Sequence, residues 1–434
     1  MHPEQILAAC AHLTGQVLKF EHPADAVVSR FFKENRNLGP RERATLAETA
    51  YNVLRKKTLY EAFALGAPKG SGARERKLAI LGFFGPRDYI KAALSDIEIA
   101  WLDACDATNP ADPESGLLDL HRHNLPEWLA TALKNQLGDD FWPLIETLST
   151  AAPLDIRINS FKTKREAAQK DLSREGIKAL PTPYSPWGLR VQGRPAVNKL
   201  KVFLDGNIEV QDEGSQLLAL LVDAKRGEMV VDFCAGAGGK TLALGAMMRS
   251  TGRLYAFDTS AHRLDALKPR VARSGLSNVQ TAAIAHERDQ RIKRLEGKID
   301  RVLVDAPCSG LGTLRRNPDL KWRQKQSDIA ELNVKQTAIL QSAARLLKPG
   351  GRLVYATCSV LPEENEVIAQ AFTAANTDFT PLECAELLTH MKVEGAQGLC
   401  SGPAEAPTRY LRLWPHRHGT DGFFAAVWQK TLKQ

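Results

Sequence analysis

Between residues 228 and 372, short apolar runs alternate with stretches of helical pattern, and that alternation restricts the fold more than any other feature of the sequence. "EMVVDFCAGAGGKT" (228–241) is an apolar run ending in a glycine-rich turn, and the "LALGAMMRS" that follows has the pattern of a helix. "GRLYAFDTS" (252–260) reads as a strand and "AHRLDALKPRVARSG" (261–275) as a helix. "DRVLVDAPC" (300–308), "AARLLKPGGRLVYATCS" (343–359) and "EENEVIAQAF" (363–372) continue the series. Strands and helices repeating at this spacing imply an α/β fold, a mainly parallel sheet with helices on both faces. Ligands of such sheets bind outside the carboxyl ends of the strands. The glycine turn, Asp258, Asp305, Cys308 and Cys358 all fall at such ends.

The first 150 residues have a different texture, with little that reads as strand. "PADAVVSRFFKEN" (23–35), "PRERATLAETAYNVLRKK" (40–57), "RERKLAILGFF" (74–84) and "PEWLATALKNQL" (126–137) space apolar residues three and four apart, as amphipathic helices do. Pro40 suits the first position of its helix, where a missing N–H costs nothing. Leu46, Tyr51 and Leu54 are expected to face a core, with Arg41, Arg43, Lys56 and Lys57 in water. Near residue 153 the pattern shifts again. "LDIRINS" (154–160) alternates like a half-buried strand, "TKREAAQKDLSREG" (163–176) reads as a helix stopped at Gly176, and "GLRVQG" (188–193) as a strand. "FLDGNIEVQDEGSQ" (203–216) reads as two short strands about a DGN turn. Three domains are expected: an all-helical domain (1–150), a small α+β module (153–215) and an α/β domain (216–434).

Composition narrows the class. With 434 residues, 44% hydrophobic and 25% charged, the chain has ample core and exceeds the size of one hydrophobic core. The 58 Lys+Arg against 50 Asp+Glu leave a modest surplus of +8, compatible with an acidic partner without demanding one. Seven cysteines, an odd number spread thinly, argue against a disulfide framework. There is no bilayer-length apolar run, and "MHPEQILAACAHL" lacks the form of a signal peptide. Together these lead to the expectation of a cytoplasmic protein. No CxxC or His/Cys cluster has metal spacing, and His416 and His418 have no third ligand nearby, so no metal is expected.

In the turn "DFCAGAGGKT", Gly236, Gly238 and Gly239 let the backbone approach a ligand closely, and the helix start offers N–H groups to a carboxylate. The spacing matches neither a P-loop nor GxGxxG. Asp258, at the end of the next strand, suits the ribose hydroxyls of an adenosine-containing cofactor. A sharp structural turn explains the glycines equally well. Each cysteine alone is explained by burial at a strand end.

The series "DFCAGAGGKT … FDTSAHRL … VDAPCSGLGTLRRNPDLKW … YATCSVLPEENE … RLWPHRHGTDGFFAAVW" strongly resembles the RsmB/Sun-type RNA (cytosine-5)-methyltransferases over about 150–430. The ordered APCSG and ATCS motifs are the most specific part. The helices bearing "ADAVVSRFFKENRNLGPRERATLAETAYNVLR" resemble the NusB-like RNA-binding extension of bacterial members. The resemblance implies a Rossmann-like methyltransferase domain that uses S-adenosylmethionine. Its turn would be formed by Cys234, Ala235, Gly236, Ala237, Gly238, Gly239 and Lys240, with Asp258 and Asp305 completing the cofactor site. The family's turn usually reads CAAPGGKT, so Ala237 stands where a proline is usual. An acid usually follows the third strand, whereas "NVQTAAIAHERD" (278–289) puts Ala285 there, with Glu287 or Asp289 as substitutes.

The resemblance also gives the two thiols separate tasks. Carbon-5 of cytosine is a poor nucleophile until a thiolate adds to carbon-6, and a base must later remove the carbon-5 proton so that the thiol can leave. Cys358 is implied as the attacking thiol and Cys308 as the group that assists release. Asp305 would hold the N3/N4 edge of the base, and Lys240 would favour a nearby thiolate. The helix expected near Pro362 would add its dipole. Having both cysteines separates this class from the DNA enzymes, which attack with the proline-cysteine thiol.

Between them, Arg315, Arg316, Lys321 and Arg323 surround Trp322 in "RRNPDLKWRQK" (315–325), a pattern suited to phosphate contacts and base stacking. The expected partner is RNA, 16S ribosomal RNA in particular, with the target cytosine in a loop or flipped out of a helix. The protein is expected to act as a monomer without membrane or metal. Transfer RNA as the substrate and a noncatalytic ribosome assembly factor remain alternatives. A dehydrogenase is disfavoured, because it has no use for two cysteines.

Overall fold

The computed structural model describes residues 1–432 and divides into two compact units. The first comprises Met1–Ala151 and the segment Thr313–Gln326. Its helices include Ala24–Glu34, Pro40–Arg55, Arg74–Gly82 and Glu127–Leu137, where the apolar spacing places them. Pro40 opens its helix. The helix Pro3–Val17, not anticipated above, buries Ile6, Leu7, Cys10, Leu13 and Val17. These pack with Leu46, Leu54, Ile80 and Leu102 in one apolar core.

The segment Thr313–Gln326 has a structural use that corrects part of the RNA-contact expectation. The helix Pro40–Arg55 ends with carbonyls that have no partner within the helix. The Trp322 indole N–H donates to Leu54 O at 2.9 Å and the Lys321 ammonium to Arg55 O at 2.8 Å. Lys321 is buried, and burial with Arg55 and Lys57 nearby lowers its pKa to about 7. Trp322 packs against the helical core and lies under the Lys57 ammonium. Lys321 is therefore withdrawn from phosphate contact, while Trp322 is partly buried and its indole N–H is already used. Arg323 lies beside Asp319 at 3.3 Å, and Arg315 donates to Ala151 O at 2.9 Å. Arg316 is half-buried.

The second unit contains residues 152–312 and 327–434. Its smaller sheet uses β1 (Leu154–Ile158), β2 (Ala179–Pro181), β3 (Gly188–Val191) and β4 (Ile208–Val210), antiparallel in the order β2-β3-β1-β4. Strand β1 is not half-buried, as its alternation predicts: Asp155 and Arg157 are enclosed too. Asp155 is paired with Arg190, while Arg157 donates to Gln211 Oε1 and to Gly239 O. The strand expected before the DGN turn is instead a helical turn, Lys201–Leu204.

The larger sheet contains β5 (Met229–Asp232), β6 (Arg253–Asp258), β7 (Val279–Ala283), β8 (Ile299–Asp305), β9 (Leu347–Thr357), β10 (Phe379–Leu382), β11 (Cys400–Ser401), β12 (Tyr410–Leu413) and β13 (Phe423–Lys430). Its order is β11-β12-β13-β9-β8-β5-β6-β7, with β10 also on β13. Strands β5 to β9 are mutually parallel and β13 runs antiparallel to β9. Successive residues point to opposite faces, so Leu303, Val354 and Ala356 join one core while Val302, Val304 and Tyr355 join the other. This is the α/β architecture that the strand–helix alternation implies. Strands β5 and β8 pair, as do β8 and β9, so the turn after β5 and the loops carrying both cysteines share one edge.

Candidate active site

Strand β5 ends in the glycine turn. Gly236 (φ 55°) and Gly238 (φ 84°) are in the left-handed region, and a Cβ on Gly238 would fall 2.1 Å from Leu267. The helix Gly239–Met247 begins directly afterwards. Asp258, at the end of β6, accepts from the Gly236 N–H at 2.8 Å and from the Ser260 N–H at 2.7 Å. The sequence assigned Asp258 to a ligand; here it also ties the turn to its neighbouring strand. A carboxylate has about four acceptor positions, so two remain for a ligand. Ala237 needs no proline to fix it, because Arg270 donates to its carbonyl at 2.5 Å.

Lys240, on the first turn of that helix, reaches the Asp305 carboxylate at 2.7 Å. Burial works against the ammonium, but Asp305, and after it Cys358, outweigh burial and hold the Lys240 pKa above its ordinary value. The Phe423 ring lies 5.8 Å from the same ammonium. Asp232, at the end of β5, is enclosed. Burial pushes its pKa up to about 7, although Thr241 donates to it at 2.7 Å.

Cys308 and Cys358 meet. Their sulfurs are 3.3 Å apart, and both are free thiols. The meeting follows from topology: β8 and β9 are parallel neighbours, Asp305 pairs with Ala356, and each cysteine lies within three residues of its strand end. The hydrogen bond with Cys358, then burial, raise the Cys308 pKa well above the ordinary thiol value. Both effects favour the protonated form of Cys308. Burial likewise raises Cys234, so that cysteine of the turn is not a reactive thiolate. The Gly312 N–H donates to Cys358 O at 2.8 Å, an approach that only glycine permits, since a Cβ there would fall 2.1 Å from Gly422 O.

Ala285 occupies the position where an acid is usual. Its N–H donates to Asp289 Oδ2 at 3.1 Å, while Asp289 Oδ1 accepts from Arg291 N at 2.9 Å. Asp289 therefore caps the short helix Gln290–Lys293 from beside that position. Several residues of the site escaped the sequence reading: Ser309, Gln336, Ser359, Glu364 and Gly312. The one signal for them was the serine repeated after each cysteine, as "PCS" and "TCS". Among the described residues no cluster of three His, Cys, Asp or Glu could hold a metal.

Residues 219–429 match the family model described as 16S rRNA methyltransferase RsmB/F, and residues 125–198 match the ferredoxin-like domain that accompanies it. The ribosomal RNA small subunit methyltransferase B of Pasteurella multocida is 34% identical over 73% of this chain and 67% of its own length. The chain belongs to the RsmB/F methyltransferase family. The solved structure of PH0851 covers 99% of both chains at 27% identity, with a TM-score of 0.77. NSun6 from Pyrococcus horikoshii, solved with SFG, shares the fold at 22% identity and a TM-score of 0.61, over 72% of this chain and 100% of its own.

RsmB/F enzymes depend on S-adenosylmethionine, and the residues present suit it. Open space lies where a Gly236 side chain would be, the helix start at Gly239 is suited to a carboxylate, and Asp258 keeps acceptor positions for hydroxyls. The turn 234–240 and Asp258 would hold the cofactor, with Asp305 and Lys240 between it and the thiols. Bound there, it supplies an electrophilic methyl group.

Proposed function

We propose that this chain makes 5-methylcytosine in RNA of the small ribosomal subunit, using Cys358 as a covalent nucleophile and Cys308 as its partner in release. The observation that carries this reading is the 3.3 Å thiol pair beside the Lys240–Asp305 ion pair, at the strand ends next to the glycine turn. The neighbouring sulfur and burial favour the protonated form of Cys308, and the Lys240 charge acts on Cys358, which supports Cys358 as the attacking sulfur.

The Cys358 sulfur adds to carbon-6 of the cytosine, which makes carbon-5 nucleophilic. Asp305 accepts a hydrogen bond from the N3/N4 edge of the base, while the Lys240 charge favours the thiolate before attack. After carbon-5 is methylated, its proton passes to a base and the carbon-6 to sulfur bond breaks. The Cys308 S–H, hydrogen-bonded to the departing sulfur, lowers the cost of its leaving as thiolate.

The relatives named for the small ribosomal subunit support rRNA as the substrate. The helical unit would serve as the RNA-binding NusB-like part, although Lys321 is enclosed within it and Trp322 caps one of its helices. A monomer working in the cytoplasm fits this reading.

The test is methyl transfer from labelled S-adenosylmethionine to small-subunit rRNA. Cys358→Ser should reduce it by about a thousandfold or more, the scale for loss of a covalent nucleophile, with cofactor affinity unchanged. Normal turnover in that variant would remove Cys358 from the mechanism.

A further inference from the structure

Glu364 follows Cys358 by six residues and lies wholly out of solvent. Four donors converge on its carboxylate. Oε1 accepts from the Ser309 backbone N–H at 2.8 Å and from Gln336 Nε2 at 3.0 Å. Oε2 accepts from Ser309 Oγ at 2.5 Å and from Ser359 Oγ. Ser309 and Ser359 are the residues directly after Cys308 and Cys358. Gln336 also donates to Pro307 O at 3.0 Å, on the other side of Cys308. The Tyr355 hydroxyl holds the Glu364 carbonyl at 2.6 Å, anchoring it to β9. One carboxylate thus grips both cysteine loops.

We propose that Glu364 is a positioning residue that fastens the two cysteine loops together, so that Cys308 faces Cys358 as a hydrogen-bond donor. This rests on the two-thiol reading of the site. The converging groups are two hydroxyls, a backbone N–H and an amide N–H, so the position calls for an acceptor with four lone pairs, which a carboxylate alone provides. A glutamine there would turn an NH2 toward donors. The charge acts in the same direction: after the hydrogen bond to Cys358 and burial, Glu364 contributes to the raised pKa of Cys308. The other titratable groups about the pair are Lys240, Asp305, Tyr355 and Cys234. Of these, Lys240 is coupled to Cys358 and Tyr355 to Cys308. Glu364 reaches both sides, through the residues next to each cysteine.

The experiment is limited alkylation of the full chain with iodoacetamide near neutral pH, without RNA, with peptide mapping to compare Cys358 with Cys308. The unaltered protein should label at Cys358 about tenfold or more ahead of Cys308, because the neighbouring sulfur and burial hold the proton on Cys308. In Glu364→Gln the preference should collapse toward equality, and methyl transfer should fall in kcat with KM for RNA little changed. Binding of S-adenosylmethionine controls for folding. An unchanged labelling preference in folded Glu364→Gln overturns the proposal.

Should Glu364→Gln fail to fold, Ser359→Ala decides, since it removes one link and keeps the charge. Its preference should fall about threefold, on the scale of losing one hydrogen bond, and no change overturns the proposal. The labelling needs no turnover. An unaltered protein that shows the preference but methylates no cytosine sinks the proposed function alone. Methylation with labelling unaffected by Glu364→Gln sinks the clamp alone.

Discussion

The Cys308 and Cys358 sulfurs lie 3.3 Å apart in hydrogen-bond contact, and each side chain near them has a consequence that can be measured. If Cys308 assists the departure of Cys358, its loss should leave addition intact and stall release. Cys308→Ala is therefore predicted to trap a covalent protein–RNA complex, visible as a retarded band on a denaturing gel. Absence of the band in a variant that still binds RNA and cofactor would remove the release role.

Asp232 offers a test by pH. Burial raises its folded pKa from the ordinary aspartate range to about 7, so the native state holds this proton more tightly than the unfolded chain. The stability associated with that proton is present below pH about 4 and is lost as pH rises through about 7. Asp232 Oδ1 is buried without a hydrogen-bond partner, so ionisation leaves a poorly compensated buried charge that a neutral amide does not carry. Asp232→Asn should raise Tm by a few degrees at pH 8 and leave it nearly unchanged at pH 4. An equal Tm at both pH values would mean that the aspartate is buried without cost.

At the scale of elements, the cofactor turn depends on a backbone conformation that side chains resist. Gly238→Ala puts a Cβ at positive φ and into Leu267, a strain of about 1–3 kcal/mol before the clash is counted. It should lower Tm and weaken S-adenosylmethionine binding, read by thermal denaturation and calorimetry; wild-type affinity would mean that the turn does not form the site.

The parallel strands, the glycine turn and the placing of two thiols at strand ends were legible from alternation and spacing, because strand period and helix period are local properties; that the thiols work together came from the family resemblance. The long-range uses of polar residues were not. Nothing in "RRNPDLKWRQK" discloses that Trp322 and Lys321 would cap a helix that ends about 270 residues earlier. The burial of Arg157 likewise depends on Gln211 and Gly239, which local pattern cannot supply. Nothing in the stretch 363–372 singled out Glu364, since its four donors come from three separate segments.

For the whole molecule, the modest positive charge and the division into two units are compatible with an RNA enzyme that has a separate binding part. Deleting residues 1–145 is a poor test of that part. It would strip Trp322 and Lys321 of the carbonyls they cap and expose a face of Thr313–Gln326, confounding lost RNA affinity with lost stability. The substitution Cys358→Ser leaves the fold alone. The decisive measurement is bisulfite sequencing of total RNA from cells carrying the unaltered gene or the Cys358→Ser allele. One cytosine of small-subunit ribosomal RNA should lose its protection in the variant. A site lost from transfer RNA instead would keep the chemistry and move the target. Full protection at every cytosine in cells that depend on the Cys358→Ser protein would contradict the covalent mechanism.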